Sequence, residues 1–329
     1  MVISRTPLRI SFFGGGTDYP AWFLDNGGAV LSTSINKFSY ITLRELPPFF
    51  DHKYRLAYSK LEFVRELGEI DHPSIRACLQ FFGIEHGVGI HYDSDLPART
   101  GLGSSSAFTV GLLEALHALK GEMVGRVKLM EEAIFIEQKM ICESVGCQDQ
   151  AIAVHGGFNL ITFGRQGQIS LTPITLAPSR LALLNDHLML FYTGISRIAS
   201  ELASTQIEKI PERKKELTEM QAMVFEAMGI IASNRDIAEF GRLLHEAWML
   251  KRSITDRIST PAIDDLYEVA RANGAIGGKL LGAGGGGFFL IFARPEDQDR
   301  IREALREILL VPFSFERSGS QIIFFDYES

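Results

Sequence analysis

The sequence has little cysteine, no long apolar run and no basic cluster, and each absence narrows what the chain can be. Its 329 residues include 3 cysteines, Cys78, Cys142 and Cys147. These are too few for a disulfide framework, and their spacing fits no zinc site. Free thiols in a reducing compartment are expected. No stretch of 18 apolar residues occurs, so a membrane-spanning helix is not expected. Met1-Val-Ile-Ser-Arg-Thr-Pro7 has no apolar segment ahead of a cleavage site, which points to a cytoplasmic protein without a membrane partner. The net charge of −7, from 40 acidic and 33 basic residues, comes without a long basic run, so nucleic acid is not an expected partner. Two nucleotide-binding signatures are also missing. There is no Gly-x-x-x-x-Gly-Lys-Ser/Thr, and Ser106 takes the place of the third glycine of a dinucleotide fingerprint.

What is present is glycine in the wrong amount for a plain core. Three glycine-rich turns occur, at 14–16, 101–103 and 282–287, each beside a strand or helix end. The central one lies in Asp95-Leu-Pro-Ala-Arg-Thr-Gly-Leu-Gly-Ser-Ser-Ser-Ala107 and runs into Phe108 to Leu119, whose apolar residues recur at helical spacing. A glycine turn opening a helix offers free N–H groups and the positive end of the helix dipole, which suits a phosphate. An N-capped helix after a tight turn is the structural alternative.

The remaining pattern mixes hairpins and helices. Val2 to Phe13, Ala29 to Ile35, Phe38 to Leu43, Gly89 to Asp95, Phe158 to Phe163, Leu188 to Tyr192, Phe288 to Phe292 and Gln321 to Phe325 read as strands. Residues 60–83, Arg126 to Cys142, 200–232, 235–252, Pro261 to Ala272 and Pro295 to Leu309 read as helices. Without regular βαβ alternation, α+β is favoured over a doubly wound sheet. The stretch Pro173 to Arg180 is the best boundary, giving spans 1–180 and 181–329.

A kinase without a P-loop needs phosphate-cradling N–H groups, a carboxylate or hydroxyl for Mg²⁺, and a group to position or deprotonate the acceptor. Glu137 and Asp149, between the second and third glycine turns, are the acidic candidates, with Glu143 the rival to Glu137 as a metal ligand. Either could instead be a solvated or turn-capping acid.

Pro97 to Ala107 resembles the central motif of the GHMP kinases. Pro7-Leu-Arg-Ile-Ser-Phe-Phe-Gly-Gly-Gly-Thr-Asp-Tyr19 resembles their N-terminal motif, and Gly277-Gly-Lys-Leu-Leu-Gly-Ala-Gly-Gly-Gly-Gly287 their C-terminal one. The resemblance implies a two-domain α+β fold, a ribosomal S5 domain 2-like N-terminal domain with the ATP loop and a ferredoxin-like C-terminal domain. ATP and acceptor would share the cleft between them. It further implies that Pro97, Gly101, Leu102, Gly103, Ser104, Ser105 and Ser106 bind nucleotide, that Ser105 and Glu137 hold Mg²⁺, that Asp149 is the catalytic base and that Arg9 supports it. Asp18, Thr17, Gly15, Gly16, Gly284 and Gly285 would meet the sugar. Gly15 and Gly16 stand where galactokinases keep Glu and His, which disfavours galactose.

Val145-Gly-Cys-Gln-Asp-Gln150, Tyr192-Thr-Gly-Ile-Ser-Arg197 and Ile258-Ser-Thr-Pro-Ala-Ile-Asp264 are similar to the heptose 7-phosphate kinase branch. That implies ATP and a small sugar phosphate as partners, with transfer to the anomeric hydroxyl; a homo-oligomer stays open. The acceptor's own phosphate calls for basic residues, and Arg197, Lys251 and Arg252 are the candidates, with Lys279 and Lys37 behind them. An L-fucose kinase, a non-catalytic sensor on the same fold and a dinucleotide oxidoreductase are the competing readings.

Overall fold

The computed structural model describes residues 1–195 and 199–326. Strand β1 (Val2–Phe13) runs into the first glycine loop and a short helix, α1 (Pro20–Asn26). The chain returns as β2 (Gly28–Glu45), antiparallel to β1 along most of its length. β2 is one continuous strand where the sequence suggests two. Pro7 has no N–H to offer the ladder, and the register shifts there, between Pro7 and Leu8, instead of the strand breaking.

Next come β3 (Tyr54–Ala57), β4 (Leu61–Val64), α2 (Pro73–Phe82) and β5 (Val88–Ser94). The expected helix over 60–83 is therefore confined to its second half. Leu61 to Val64 instead pairs with β3, and its buried side chain is Glu62, held by the Tyr58 hydroxyl and the Asp71 N–H.

Helix α3 (Ser104–Leu119) follows the central glycine turn and is buried on nearly every face, as expected of a helix this apolar. α4 (Arg126–Phe135) passes into a π-helical turn, Ile136–Met140, short of the expected end at Cys142. Then come α5 (Gln148–His155), β6 (Phe158–Phe163), β7 (Ile169–Pro173) and α6 (Pro178–Asp186).

β8 (Leu188–Tyr192) opens the second half. The helix expected over 200–232 is two, α7 (Ala199–Lys209) and α8 (Lys214–Ala232), parted at Pro211, which cannot donate inside a helix. α9 (Ala238–Arg252), α10 (Pro261–Ala272), β9 (Ala275–Leu280), β10 (Phe288–Ala293), α11 (Pro295–Ala304), β11 (Leu309–Leu310) and β12 (Gln321–Phe325) complete the chain.

The first sheet has the order β12-β1-β2-β5-β3-β4, with β6 and β7 joined to the other part of β2, and α3 packs on it. The second has the order β11-β8-β10-β9, with α9 against β9. The change of sheet falls between β7 and β8, but β12 then returns to cover the edge of β1. The second expected span, 181–329, thus contributes this strand to the sheet of the first, 1–180.

Aromatic rings close the seam between the sheets. Phe12 and Phe13 of β1 meet Phe240 of α9 edge-on at 5.5 and 5.1 Å, and Phe240 meets Phe292 of β10 at 6.1 Å. Edge-on pairs of this kind add roughly 0.5–1.5 kcal/mol each to simple burial.

The second and third glycine turns lock together through main chain. A Cβ on Gly282 would lie 2.4 Å from Gly101 Cα, and one on Gly101 would lie 2.3 Å from the Leu281 carbonyl oxygen. Both residues have positive φ, +75° and +84°. The Phe288 N–H donates to the Thr100 carbonyl at 3.2 Å. Gly282→Ala is expected to lower the unfolding free energy by about 1–3 kcal/mol, because neither clash is with a flexible side chain. Urea unfolding checks this, and a variant as stable as wild type contradicts the close approach.

Candidate active site

One cleft of about 200 Å³ gathers residues from both sheets. β1 brings Arg9 and Ser11 to it, and the following loop brings Gly15, Gly16 and Asp18. Ser104, Ser105 and Ser106 come from the start of α3, Gln148 and Asp149 from the start of α5, Lys251 from α9 and Lys279 from β9. α3 has no side-chain cap, so the N–H groups of its first turn are left for a ligand.

Three consecutive side chains at the head of α5 organise the acids. Successive helical residues point about 100° apart, so each finds a different partner. Asp149 receives two bonds from Arg9, Nε to Oδ1 at 2.7 Å and the second guanidinium nitrogen to Oδ2 at 2.8 Å. The third Arg9 nitrogen donates to the Gly101 carbonyl. Gln148 donates from Nε2 to Asp18 Oδ2 at 2.9 Å, while the Gly16 N–H donates to Oδ1 at 2.9 Å. Burial pushes the Asp18 carboxyl above its usual range; the Gly16 bond opposes this, the Asp149 charge adds to it, and the Gln148 bond opposes it. Gly146 is required beside it, since a Cβ there would fall 1.9 Å from Asp18 Oδ2.

Gln150 donates from Nε2 to Glu137 Oε2. Glu137 sits in the π-helical turn and is fully buried. Such turns are rare and concentrate at functional sites. Ser106 donates to Glu137, Oγ to Oε2 at 2.9 Å, while Ser105, one helical step away, is exposed on the cleft lining. Burial pushes the Glu137 carboxyl up to about 7 against the pull of bonds from Thr109, Ser106 and Gln150. Its Oε1 is buried without a protein partner.

Several residues expected at the site lie elsewhere. Thr17 is buried in the first glycine loop, donating to the Gly14 and Ala29 carbonyls. Gly284 and Gly285 pack on Ile258 behind the cleft wall, which Gly282 and Ala283 line instead. Their glycines serve close main-chain packing. Arg252 is paired with Asp264 at 2.7 Å. Pro97 is exposed and Leu102 lies in the core, both beside the cleft rather than on it, and Lys37 is also off it. Arg197 lies outside the described residues.

Sequence reasoning missed Arg99 and Ser11, both on the cleft lining, which also includes Glu143, the rival metal ligand. Arg99 carries a signal only in its backbone, with φ +62° in a residue that is not glycine. The partners of Gln148 and Gln150 were also unforeseen, although both flank the expected base.

Comparison with known proteins follows the same lines. Residues 70–157 match the model of the GHMP kinases N terminal domain and residues 225–309 that of the GHMP kinases C terminal domain. The chain is similar to a D-glycero-alpha-D-manno-heptose 7-phosphate kinase of Campylobacter jejuni, 29% identical over 96% of this chain and 97% of that one. An L-fucokinase/L-fucose-1-P guanylyltransferase of Bacteroides fragilis is 27% identical over 93% of this chain and 36% of its own length. The solved structure of a D-glycero-D-manno-heptose 1-phosphate kinase from Bacteroides thetaiotaomicron covers 100% of both chains with a TM-score of 0.79 at 24% identity.

The raised Glu137 carboxyl gives a pH test. The folded state keeps this proton to about pH 7, whereas the unfolded chain releases it near 4.5. Its contribution to stability is therefore complete below the lower value and lost as pH rises through the upper one. In metal-free protein, the stability of Glu137→Gln relative to wild type should rise across this window. A relative stability that stays constant with pH contradicts a buried acid at this position.

Proposed function

This chain belongs to the GHMP kinases, with the family's N- and C-terminal models matched in order along it, and we propose on that footing that it phosphorylates the anomeric C1 hydroxyl of D-glycero-D-manno-heptose 7-phosphate with ATP. The product would be the 1,7-bisphosphate, on the way to nucleotide-activated heptose. The observation that carries this reading is the Arg9–Asp149 pair beside the uncapped start of α3 in one cleft. The likeness to the Campylobacter kinase over nearly all of both chains supports the acceptor.

In the proposed reaction, the main-chain N–H groups at Ser104 to Ser106 take the nucleotide phosphates. Mg²⁺ binds mainly phosphate and water plus one or two protein oxygens, so it needs no dedicated protein cage. Glu137, with one orphaned oxygen, and the neighbouring serine hydroxyls fit that need. The ion would neutralise charge on the phosphates.

Asp149 is the proposed base. Each of its oxygens accepts from Arg9, yet a carboxylate oxygen has a second lone pair free for the C1 hydroxyl proton. As that proton moves to Asp149, the C1 oxygen bonds to the γ-phosphorus and the bond to the β-phosphate oxygen breaks, releasing ADP. Arg9 fixes the base and stands beside the developing charge. Asp18, held by Gln148 and Gly16, is aimed to accept from sugar hydroxyls.

Asp149→Asn is expected to reduce kcat by about 10²–10⁴, the usual share of a positioned base, with ATP affinity near wild type. Wild-type turnover by this variant contradicts the assignment. In an acceptor panel, heptose 7-phosphate should be used in preference to L-fucose, and the reverse preference overturns the substrate.

A further inference from the structure

Lys251 and Lys279 bring two ammonium groups into the cleft from the side of the second sheet. Their relative exposures are only 6% and 5%. Both donate to main-chain carbonyls, Lys251 to Gly282 and Lys279 to Phe12, the latter at 2.8 Å. A carbonyl satisfies a donor but does not cancel its charge. The two acids nearby are already engaged, Asp149 by Arg9 and Asp18 by Gln148 and Gly16.

A buried ammonium without an anion is costly, and the lysines show it. Burial brings Lys251 down to about 8, with the charge of Arg9 adding to the fall. Burial also drives Lys279 well down, helped by the charges of Lys251 and Arg9. Two adjacent amines are thus kept dry beside the Arg9 cation, with no ion-pair partner for either lysine among the described residues. A doubly charged anion would supply what is missing.

We propose that Lys251 and Lys279 form a subsite for the acceptor's own phosphate ester, so that the enzyme selects a phosphorylated sugar over the same sugar without phosphate. This rests on the kinase reading above. The nucleotide phosphates already have the start of α3, which belongs to the first sheet's side of the cleft, whereas both lysines stand on elements of the second. Arg252, the other basic candidate on α9, is taken up by Asp264.

The test is steady-state kinetics with ATP and two acceptors, the C7-phosphorylated heptose and the same heptose without phosphate. Wild type, Lys251→Met, Lys279→Met and the charge-keeping Lys279→Arg are compared, with melting curves to confirm folding. Wild type should prefer the phosphorylated acceptor. Each Met variant should lose about 10- to 100-fold in kcat/KM on that acceptor, mainly through KM, the range of a charged hydrogen bond. Turnover of the unphosphorylated sugar should hold, so the preference collapses, while Lys279→Arg keeps it. If Lys279→Met does not fold, Lys251→Met and Lys279→Arg decide.

A wild-type enzyme indifferent to the phosphate overturns the subsite. So does an equal fall in kcat on both acceptors, which would assign the lysines to the phosphoryl group in transfer. If wild type uses neither acceptor, the kinase reading fails, and the subsite is judged by inorganic phosphate alone. Phosphate should then raise the melting temperature of wild type more than that of Lys251→Met, and equal shifts overturn the proposal.

Discussion

Arg9 ties the cleft together. Its guanidinium holds both oxygens of Asp149 and the Gly101 carbonyl, and its main-chain N–H holds the Leu102 carbonyl at 3.0 Å. One residue of a central strand therefore fixes both the expected base and the phosphate loop. Gly103 makes this possible, since a Cβ there would stand 3.1 Å from Arg9 Cγ and 3.4 Å from Asp149 Oδ2. From the other side, Gly282 presses on Gly101. The loop is clamped between a buried guanidinium and a glycine hairpin, so its N–H groups need little rearrangement when charge develops, which is the main requirement of electrostatic catalysis.

Groups whose protonation is disturbed line the cleft at Asp18, Lys251 and Lys279 and lie beneath it at Glu137, behind Ser106, and burial is the first cause in each case. Asp18 and Glu137 are raised, Lys251 and Lys279 lowered. Such clustering marks functional sites, because a folded chain tolerates uncompensated polar groups mainly where a ligand completes them. Orphaned atoms tell the same story, with Ser11 Oγ, Gln148 Oε1 and Glu137 Oε1 all buried and unpartnered.

Local chemistry was legible in the sequence. Glycine turns, the start of α3, the helix of Pro261 to Ala272 and the acids at 137 and 149 all carry short-range signals. Features set by distant partners were not. The return of β12 to β1 joins residues more than 300 apart in the chain, and no local pattern encodes it. The bond from Ser106 to Glu137 depends on a single helical step of rotation and on where the π-helical turn delivers Glu137. Gly284 and Gly285 look like ligand-loop glycines, but the need for them comes from Ile258 packed behind.

The central claim is that one cleft brings nucleotide phosphates, acceptor hydroxyl and Asp149 to a single point. A crystal structure with a non-hydrolysable ATP analogue, Mg²⁺ and heptose 7-phosphate tests it most directly. The account predicts the terminal nucleotide phosphate at the start of α3 and the C1 oxygen in hydrogen-bond contact with Asp149. An acceptor bound with its C1 oxygen away from Asp149, or a nucleotide bound outside this cleft, would contradict it.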